Sequence, residues 1–450
     1  MTDGSELTQR RIFRLWVPLA ATWLMMSVEG PFLAAVIARL AEPKINLAAY
    51  GVAFAFALLL ESPIILIMSA STALVEDAVS LRKLRNFTYA LNTIITVLMV
   101  ICLIPALFYP AAEGVVGLPR NVAVLTHHAA ILLVPWPAAI GYRRFHQGIL
   151  IRNRLTRRVA YGTVWRLAAM GSTSLLLALL TPLHGALVGA AALSAGVTSE
   201  AVVIGWMARS SVRRLTLTQP SQESLHAPLT YRAVWEFYYP LAITSMLTMG
   251  VNPLVTLFMA HSRLPIASLA VLPVINALVF AFRSMGLAFQ DVAIALIGPK
   301  REGYQPLKRY AMVLGVCVVL GLAAIAFTPL LGVWFHDISG LSEALTHVAR
   351  VPVAVLTFMP GFSVLLAFQH AMLVSARVTR PITWATLIEV TGILLGLFAG
   401  IQGLDLVGAT AAASALMLGR IGAVIYLFPP MLRTRATDSG GSRAAAINSP

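Results

Sequence analysis

Two stretches with one pattern, FHQGILIRNRLTR at 145–157 and FQHAMLVSARVTR at 368–380, indicate how the chain is built. Two further pairs keep almost the same spacing of about 220 residues: WVPLAAT at 16–22 with YYPLAIT at 238–244, and LVGAAA at 187–192 with LVGATA at 406–411. Matches in three places at nearly constant separation predict an internal repeat. The chain therefore consists of two similar halves.

The composition places both halves in a membrane. Apolar residues make up 58% of the 450 residues, charged residues only 11%, and the mean hydropathy is +0.82. A soluble domain carries about a quarter charged residues, so a polytopic membrane protein is indicated. Cys102 and Cys317 lie inside apolar runs, which argues against a disulfide or a metal site. No cleavable signal peptide is evident.

The apolar runs predict twelve membrane-spanning helices, because a span needs about 20 mostly apolar residues. The runs are 16–40, 47–75, 87–110, 121–148, 159–180, 184–208, 235–260, 264–297, 306–330, 341–374, 380–400 and 403–430. We expect a cytoplasmic N-terminus at 1–15, a first six-helix bundle at 16–208, a linker at 209–234, a second bundle at 235–430 and a disordered tail at 431–450.

The basic residues predict the orientation. Of the 33 Lys and Arg residues, 25, including Arg143 and Arg144, fall on or near one side of this arrangement and 5 on or near the other, while Arg166, Arg283 and Arg420 lie deep inside spans. The positive-inside rule then places both termini in the cytoplasm, in a multi-pass protein of the cytoplasmic membrane. The net charge of +15 comes from these basic residues between the apolar runs, which set the topology of the chain. We therefore expect no nucleic-acid partner.

An even number of spans in each half makes the halves parallel repeats. That architecture places a central cavity between two bundles and supports rocking between inward-open and outward-open states. The alternative is a duplicated scaffold that transports nothing.

Four charged residues form two pseudo-symmetric pairs in the predicted hairpins. Arg166 and Glu200 lie at one depth on spans 5 and 6, and Glu389 and Arg420 occupy the corresponding places on spans 11 and 12 with the signs exchanged. We interpret both pairs as structural ion pairs in preference to substrate-binding groups, since a charge inside a span is costly without a partner.

Glu29 and Glu61 lie near the centres of spans 1 and 2, each two residues before a proline. A proline frees the carbonyl four residues back, here those of Ser27 and Leu59. A carboxylate beside a freed carbonyl suits a proton or Na⁺, so both acids are candidates for binding a coupling ion. Alternatively, each is a protonated, hydrogen-bonded part of a helix kink. Near the matching places of the second half stand Val251 and Phe280.

Arg283, close to the centre of span 8, is a candidate for binding an anionic substrate, because a midplane arginine usually faces a watery cavity. The alternative is an ion pair with Glu29 or Glu61. Other polar substrate-binding candidates are Asn252, Asn276, Gln147 and Gln369. Motifs for hydrolases, metalloproteases and nucleotide binding are absent from the sequence, so we expect neither an enzyme nor a resident cofactor or metal.

Several motifs resemble those of a known transporter family. Gln147-Gly148 followed by Thr156-Arg157 resembles the QG…TR stretch of the MOP superfamily, and the repeat is similar to the multidrug and toxic compound extrusion (MATE) fold. Further patches resemble the progressive ankylosis (ANK) branch: 17–19, Glu29, 48–53, 239–242 and 252–255 with Phe258. The ANK branch exports small anions such as pyrophosphate, ATP or citrate, which agrees with Arg283.

Two departures qualify this resemblance. Many MATE members carry a glutamate in span 7, whereas here Glu236 lies only at the start of that span. Glu29 is therefore the better candidate for coupling. Lipid-precursor flippases of the superfamily often have fourteen spans, two more than here.

We therefore predict a monomeric secondary transporter that exports a small organic solute, coupled to H⁺ or Na⁺ through Glu29. Its partners are the lipid bilayer and a small-molecule substrate. The alternatives are a flippase for a lipid-linked or amphipathic substrate and a non-transporting scaffold.

Overall fold

The computed structural model describes residues 7–115, 118–217, 229–260, 262–298, 301–339 and 341–447. Within these ranges the chain is built from helices and turns, and its one β-bridge joins Arg263 to Val407. In chain order the α-helices are α1 (Gln9–Ile37), α2 (Pro43–Glu61), α3 (Ile67–Leu74), α4 (Ala78–Cys102), α5 (Pro105–Tyr109), α6 (Arg120–Leu132), α7 (Pro135–Arg152), α8 (Thr156–Leu180), α9 (Gly185–Leu217), α10 (Tyr231–Ala260), α11 (Pro265–Leu296), α12 (Tyr304–Ala326), α13 (Leu330–Gly332), α14 (Glu343–Leu356), α15 (Met359–Ser375), α16 (Arg380–Phe398) and α17 (Gly408–Ile447).

These helices confirm the predicted all-helical membrane fold. Eleven helical segments of the described residues are long and apolar enough to cross a bilayer. The remaining predicted span, 235–260, lies within α10. The segment 218–228 of the predicted linker and residues 448–450 of the predicted tail lie outside the described residues.

Four of the predicted spans each consist of two helices, and proline explains each break. Proline lacks the N–H that continues a helix and clashes with the preceding turn. The span 47–75 breaks around Pro63, 87–110 breaks before Pro105, 121–148 breaks before Pro135, and 341–374 breaks before Pro360. The first of these breaks leaves Glu61 as the last residue of α2.

The chain divides into two compact units. We call Leu24–Met246 the first bundle; the second bundle contains the described residues of Met1–Trp23 and Leu247–Pro450. Helix α1 contributes its residues up to Trp23 to the second bundle and the rest to the first. In the same way, α10 contributes its residues up to Met246 to the first bundle and those that follow to the second.

The predicted repeat is present in the backbone at the start of corresponding helices. Glu42 and Leu264, 222 residues apart, both adopt the left-handed conformation, with φ of 48° and 55°, directly before the prolines that begin α2 and α11. A side chain with a Cβ rarely adopts this conformation, so its recurrence at one spacing fixes the register of the two helices.

A second recurring feature gives the same register. In the first bundle the Asn46 side chain accepts a hydrogen bond from the backbone N–H of Ala186, at 2.8 Å. In the second bundle Ser268 accepts one from Ala409, at 3.0 Å. The offsets are 222 residues between the acceptors and 223 between the donors. Corresponding residues of the two halves are therefore found at these offsets.

Candidate functional site: two buried charge clusters

At the helix break after Glu61, the backbone carbonyl of Leu59 is hydrogen-bonded by the adjacent Ser62. The carbonyl of Leu59 accepts hydrogen bonds from the Ser62 backbone N–H and, at 2.7 Å, from the Ser62 hydroxyl. A carbonyl oxygen has two lone pairs, and both are used here. The expectation that this carbonyl is free for a cation beside Glu61 is therefore wrong.

A second carbonyl in this helix break, that of Pro63, accepts a hydrogen bond from a tyrosine of α10. The hydroxyl of Tyr238 donates to the Pro63 carbonyl at 2.6 Å, and the Tyr238 side chain is buried. Helix α1, in contrast, continues through Pro31 without interruption. Of the two proline-linked acids, only Glu61 thus lies at a helix end.

Glu29 forms a buried ion pair with Arg166. A guanidinium N–H of Arg166 donates to Oε2 of Glu29, and the two residues are 3% and 6% exposed. The other carboxylate oxygen, Oε1, is buried and has no hydrogen-bond partner in the structure. The acid predicted to bind a coupling ion therefore combines one paired oxygen with one unpaired oxygen.

Glu200, which is fully buried, accepts hydrogen bonds from two residues and has a further cationic group within ion-pair distance. Its closest partner is Arg143 on α7, Nε2 of Gln147 donates at 3.3 Å, and Nη1 of Arg166 lies 3.8 Å away. Arg166 and Glu200 therefore lie within ion-pair distance, as predicted, but neither is the other's closest partner. Arg166 lies closer to Glu29, and Glu200 lies closer to Arg143. Helices α7 and α8 both pack against α9, and this packing brings the three charged groups together.

Glu61 completes the group. It is 5% exposed and interacts electrostatically with Arg143, Arg144 and Arg166. We call Glu29, Glu61, Arg143, Arg144, Arg166 and Glu200 the first charge cluster. It contains three carboxylates and three guanidinium groups, so its formal charges cancel.

Arg143 and Arg144 are the residues that the sequence interpretation missed. They were counted with the cytoplasmic charges because they precede a run of arginines. The structure places both on α7 with exposures of 1% and 8%. One signal was available: Arg143 and Gln147 are four residues apart and therefore share a helix face.

The second bundle contains a smaller group of buried charges. Nη2 of Arg420 on α17 lies 2.9 Å from Oε1 of Glu389 on α16, as the predicted pairing requires. Arg283 on α11 interacts electrostatically with both residues, and His370 on α15 interacts with Arg420. We call Arg283, Glu389 and Arg420 the second charge cluster.

The helix register relates the two clusters position by position. At an offset of 222 from α2 to α11, Glu61 corresponds to Arg283, and at 223 from α8 to α16, Arg166 corresponds to Glu389. Phe280, predicted to stand near the place that matches Glu61, lies about one turn before it. Arg420 lies one turn before the residue that corresponds to Glu200. At the two exactly matching positions, the sign of the charge is reversed.

The other predicted polar residues belong to the second bundle. Nε2 of Gln369 donates to the Val424 carbonyl at 2.9 Å, and its Oε1 has no partner in the structure. Asn276 is partly buried on α11, two helical turns before Arg283. The side chain of Asn252 lies outside the described residues.

Comparison with known proteins identifies the fold. No protein-family model and no curated protein matches the chain. Among solved structures, an outward-facing multidrug resistance MATE transporter of the MOP superfamily matches with a TM-score of 0.72 at 15% identity, over 96% of both chains.

Two further solved structures show the same likeness. A MOP superfamily transporter from Pyrococcus furiosus, described as having a binding pocket whose reverse polarity suggests a different function, matches with a TM-score of 0.71 at 15% identity over 96% of both chains. A mutant of the Vibrio cholerae MATE transporter VcmN matches with a TM-score of 0.65 at 14% identity, over 95% of this chain and 97% of that one. The chain therefore has the fold of the MATE transporters of the MOP superfamily.

Proposed function

We propose that the protein is a secondary active transporter that exports a small organic solute by alternating access, with Glu29 as the group that binds the coupling ion. One observation carries the proposal: a bundle of a MATE-type fold encloses three carboxylates and three arginines in contact or within electrostatic range. Charges inside spans are costly and mark ion or substrate pathways. Such a cluster therefore suits a transporter better than a scaffold that moves nothing.

The geometry provides a switch that an ion could operate. Arg166 lies between two carboxylates, paired with Glu29 and 3.8 Å from Glu200. A proton on Glu29 removes the charge that holds Arg166, and the guanidinium then turns toward Glu200. Glu29 lies on α1 and Glu200 on α9. The exchange of partners therefore replaces an ion pair between α8 and α1 by one between α8 and α9. An ion that binds one arrangement more tightly than the other shifts the conformational equilibrium.

A proton suits the site better than Na⁺. The carbonyl of Leu59 is occupied by Ser62, and one oxygen of Glu29 is engaged by a guanidinium group. Na⁺ would require several oxygen ligands and the displacement of Arg166, whereas a proton needs only the free Oε1.

The test uses the purified full-length protein in proteoliposomes. Export of a panel of labelled organic anions and cations is measured with an imposed proton gradient, an imposed Na⁺ gradient and no gradient. The proposal predicts that the proton gradient accelerates at least one solute. Equal rates under all three conditions would show a facilitator, and no movement of any solute would favour a scaffold.

The runner-up is a flippase for an amphipathic substrate, and one surface feature favours it. A groove of about 430 Å³ lies between α7 and α9 of the first bundle, lined by small residues and by Tyr142, Trp206 and Arg209. Trp206 and Arg209 are exposed, which suits a lipid headgroup at a membrane interface. Scrambling of a labelled lipid without movement of water-soluble solutes would select this alternative.

Several finer features remain part of the proposal. The likeness to the ANK branch and the charge at Arg283 favour an anionic solute. The 25 to 5 distribution of basic residues supports cytoplasmic termini in the cytoplasmic membrane. We expect a monomer without a resident cofactor.

A further inference from the structure

The charges of the second charge cluster do not balance. Among the described residues, the carboxylate that acts on Arg283 and pairs with Arg420 is that of Glu389, so two guanidinium groups share one acid. Asp291 lies eight residues beyond Arg283 on α11, about 12 Å away by helical rise, and it is not among the groups that act on Arg283. An excess positive charge therefore remains at Arg283 and Arg420, where it attracts an anion.

The two arginines lie in largely apolar surroundings, Arg420 buried and Arg283 partly buried. Helices α11, α15 and α17 pack against one another. The neighbours of the two arginines along the chain, Phe282 and Ile421, are partly buried and pack against the apolar core of this bundle. Arg420 itself is only 9% exposed. A charge-assisted hydrogen bond is strong in such a setting.

Buried hydrogen-bonding atoms without partners lie on the same groups. Nε of Arg283, Nε of Arg420 and Nε2 of His370 are buried and have no hydrogen-bond partner in the structure. An unsatisfied buried donor is expensive, and few occur without a reason. An oxygen-rich ligand between α11 and α17 would satisfy the arginine donors.

We infer that the second charge cluster is a binding site for a small oxyanion, a carboxylate or a phosphate, held by Arg283 and Arg420. The site is the counterpart of the first charge cluster with the sign reversed at two corresponding positions, Glu61 to Arg283 and Arg166 to Glu389. The first cluster is formally neutral and suits a proton, whereas the second has a positive excess. In the transporter proposed above, the bound oxyanion is the exported solute, and this part of the inference rests on that function.

Binding is measured by equilibrium dialysis of the purified full-length protein in detergent, with labelled succinate, citrate and pyrophosphate as probes. Arg283→Gln should weaken binding of the preferred probe about tenfold to hundredfold, the effect of losing one charge-assisted hydrogen bond. Arg283→Lys should retain part of the affinity, because the charge remains while the planar fork is lost. Arg350→Gln, an exposed arginine of the same bundle, is the matched control and should bind like the wild type.

Glu389→Gln gives a prediction of opposite sign. The carboxylate competes with the oxyanion for Arg420, so its neutralisation should tighten binding about tenfold or more. Size-exclusion profiles verify that each variant is folded, and the lysine variant carries the test if Arg283→Gln fails to fold. Wild-type protein that binds no probe, or an Arg283 variant pair that binds like the wild type, would overturn the inference.

The transport assay separates this inference from the proposed function. If a gradient drives export of a cationic dye and the protein binds no anion, the proposed function is supported and the anion site is contradicted. If anion binding depends on Arg283 but no solute moves in response to a gradient, the anion site is supported and the proposal of a coupled transporter is contradicted.

Discussion

Glu29 on α1 and Arg166 on α8, separated by 137 residues in the chain, form a buried ion pair within the first bundle. Among the described residues, the second oxygen of Glu29 has no hydrogen-bond partner, and the second carboxylate within reach of Arg166 is that of Glu200, at 3.8 Å. Arg166 is therefore shared between two acids on two helices. This sharing is the basis of the coupling mechanism that we propose.

The pair of Arg143 with Glu200 should be energetically strong, since both side chains are almost fully buried. Arg143→Gln leaves a buried carboxylate short of its main partner and should destabilise the protein by about 3–5 kcal/mol. The double variant Arg143→Gln with Glu200→Gln should lose much less, because two amides can bond to each other. Thermal denaturation of the three variants measures the difference.

The control for this comparison is Arg232→Gln, which removes an exposed partner of Glu236 on α10. Exposed pairs contribute little, so the thermal midpoint should hardly move. A double variant as unstable as the worse single variant would remove the claim that Arg143 and Glu200 stabilise each other.

The pair of Arg420 with Glu389 should show the same pattern with a smaller amplitude. Its side chains are 10% and 15% exposed, compared with 2% and 0% for Arg143 and Glu200, and partial access to solvent reduces the cost of an unpaired charge. We expect Arg420→Gln to lower the thermal midpoint less than Arg143→Gln does. The reverse order would show that exposure does not govern these pairs.

Tyr238→Phe tests how the helix break beside Glu61 is held. The change removes the hydroxyl that donates to the Pro63 carbonyl and should cost about 1 kcal/mol. The thermal midpoint should fall, and exchange of backbone amides near residues 61–64 should accelerate. Tyr239→Phe is the control, because the partly buried ring of Tyr239 stacks on Trp235. Equal effects of the two changes would contradict the role given to Tyr238.

The sequence predicts the helices and one of the buried contacts, but it does not predict the partner of Glu29 or the burial of Arg143. Apolar runs and a constant repeat spacing predict the helices, and the hairpin of spans 5 and 6 predicts that Arg166 and Glu200 approach each other. The partner of Glu29 depends on tertiary packing between elements far apart in the chain, which no local pattern reports. Arg143 resembles its cytoplasmic neighbours in sequence and differs from them only in burial.

The correspondence of Glu61 with Arg283 shows a further limit. Apolar side chains at corresponding positions are interchangeable, so a sequence match within a span is uncertain by about one turn. The left-handed residues Glu42 and Leu264 remove that uncertainty, because a backbone conformation marks the helix start independently of side-chain type.

The central claim is that protonation of Glu29 couples an ion gradient to export. The most direct measurement compares solute export by wild-type protein and Glu29→Gln in proteoliposomes, with and without an imposed proton gradient. Glutamine mimics the protonated acid and keeps its volume, so the variant should fold and export at a rate that no longer responds to the gradient. Glu61→Gln makes the same change at a buried acid outside the Arg166 pair and should retain most of the response. Export by Glu29→Gln with the full response of the wild type would contradict the account.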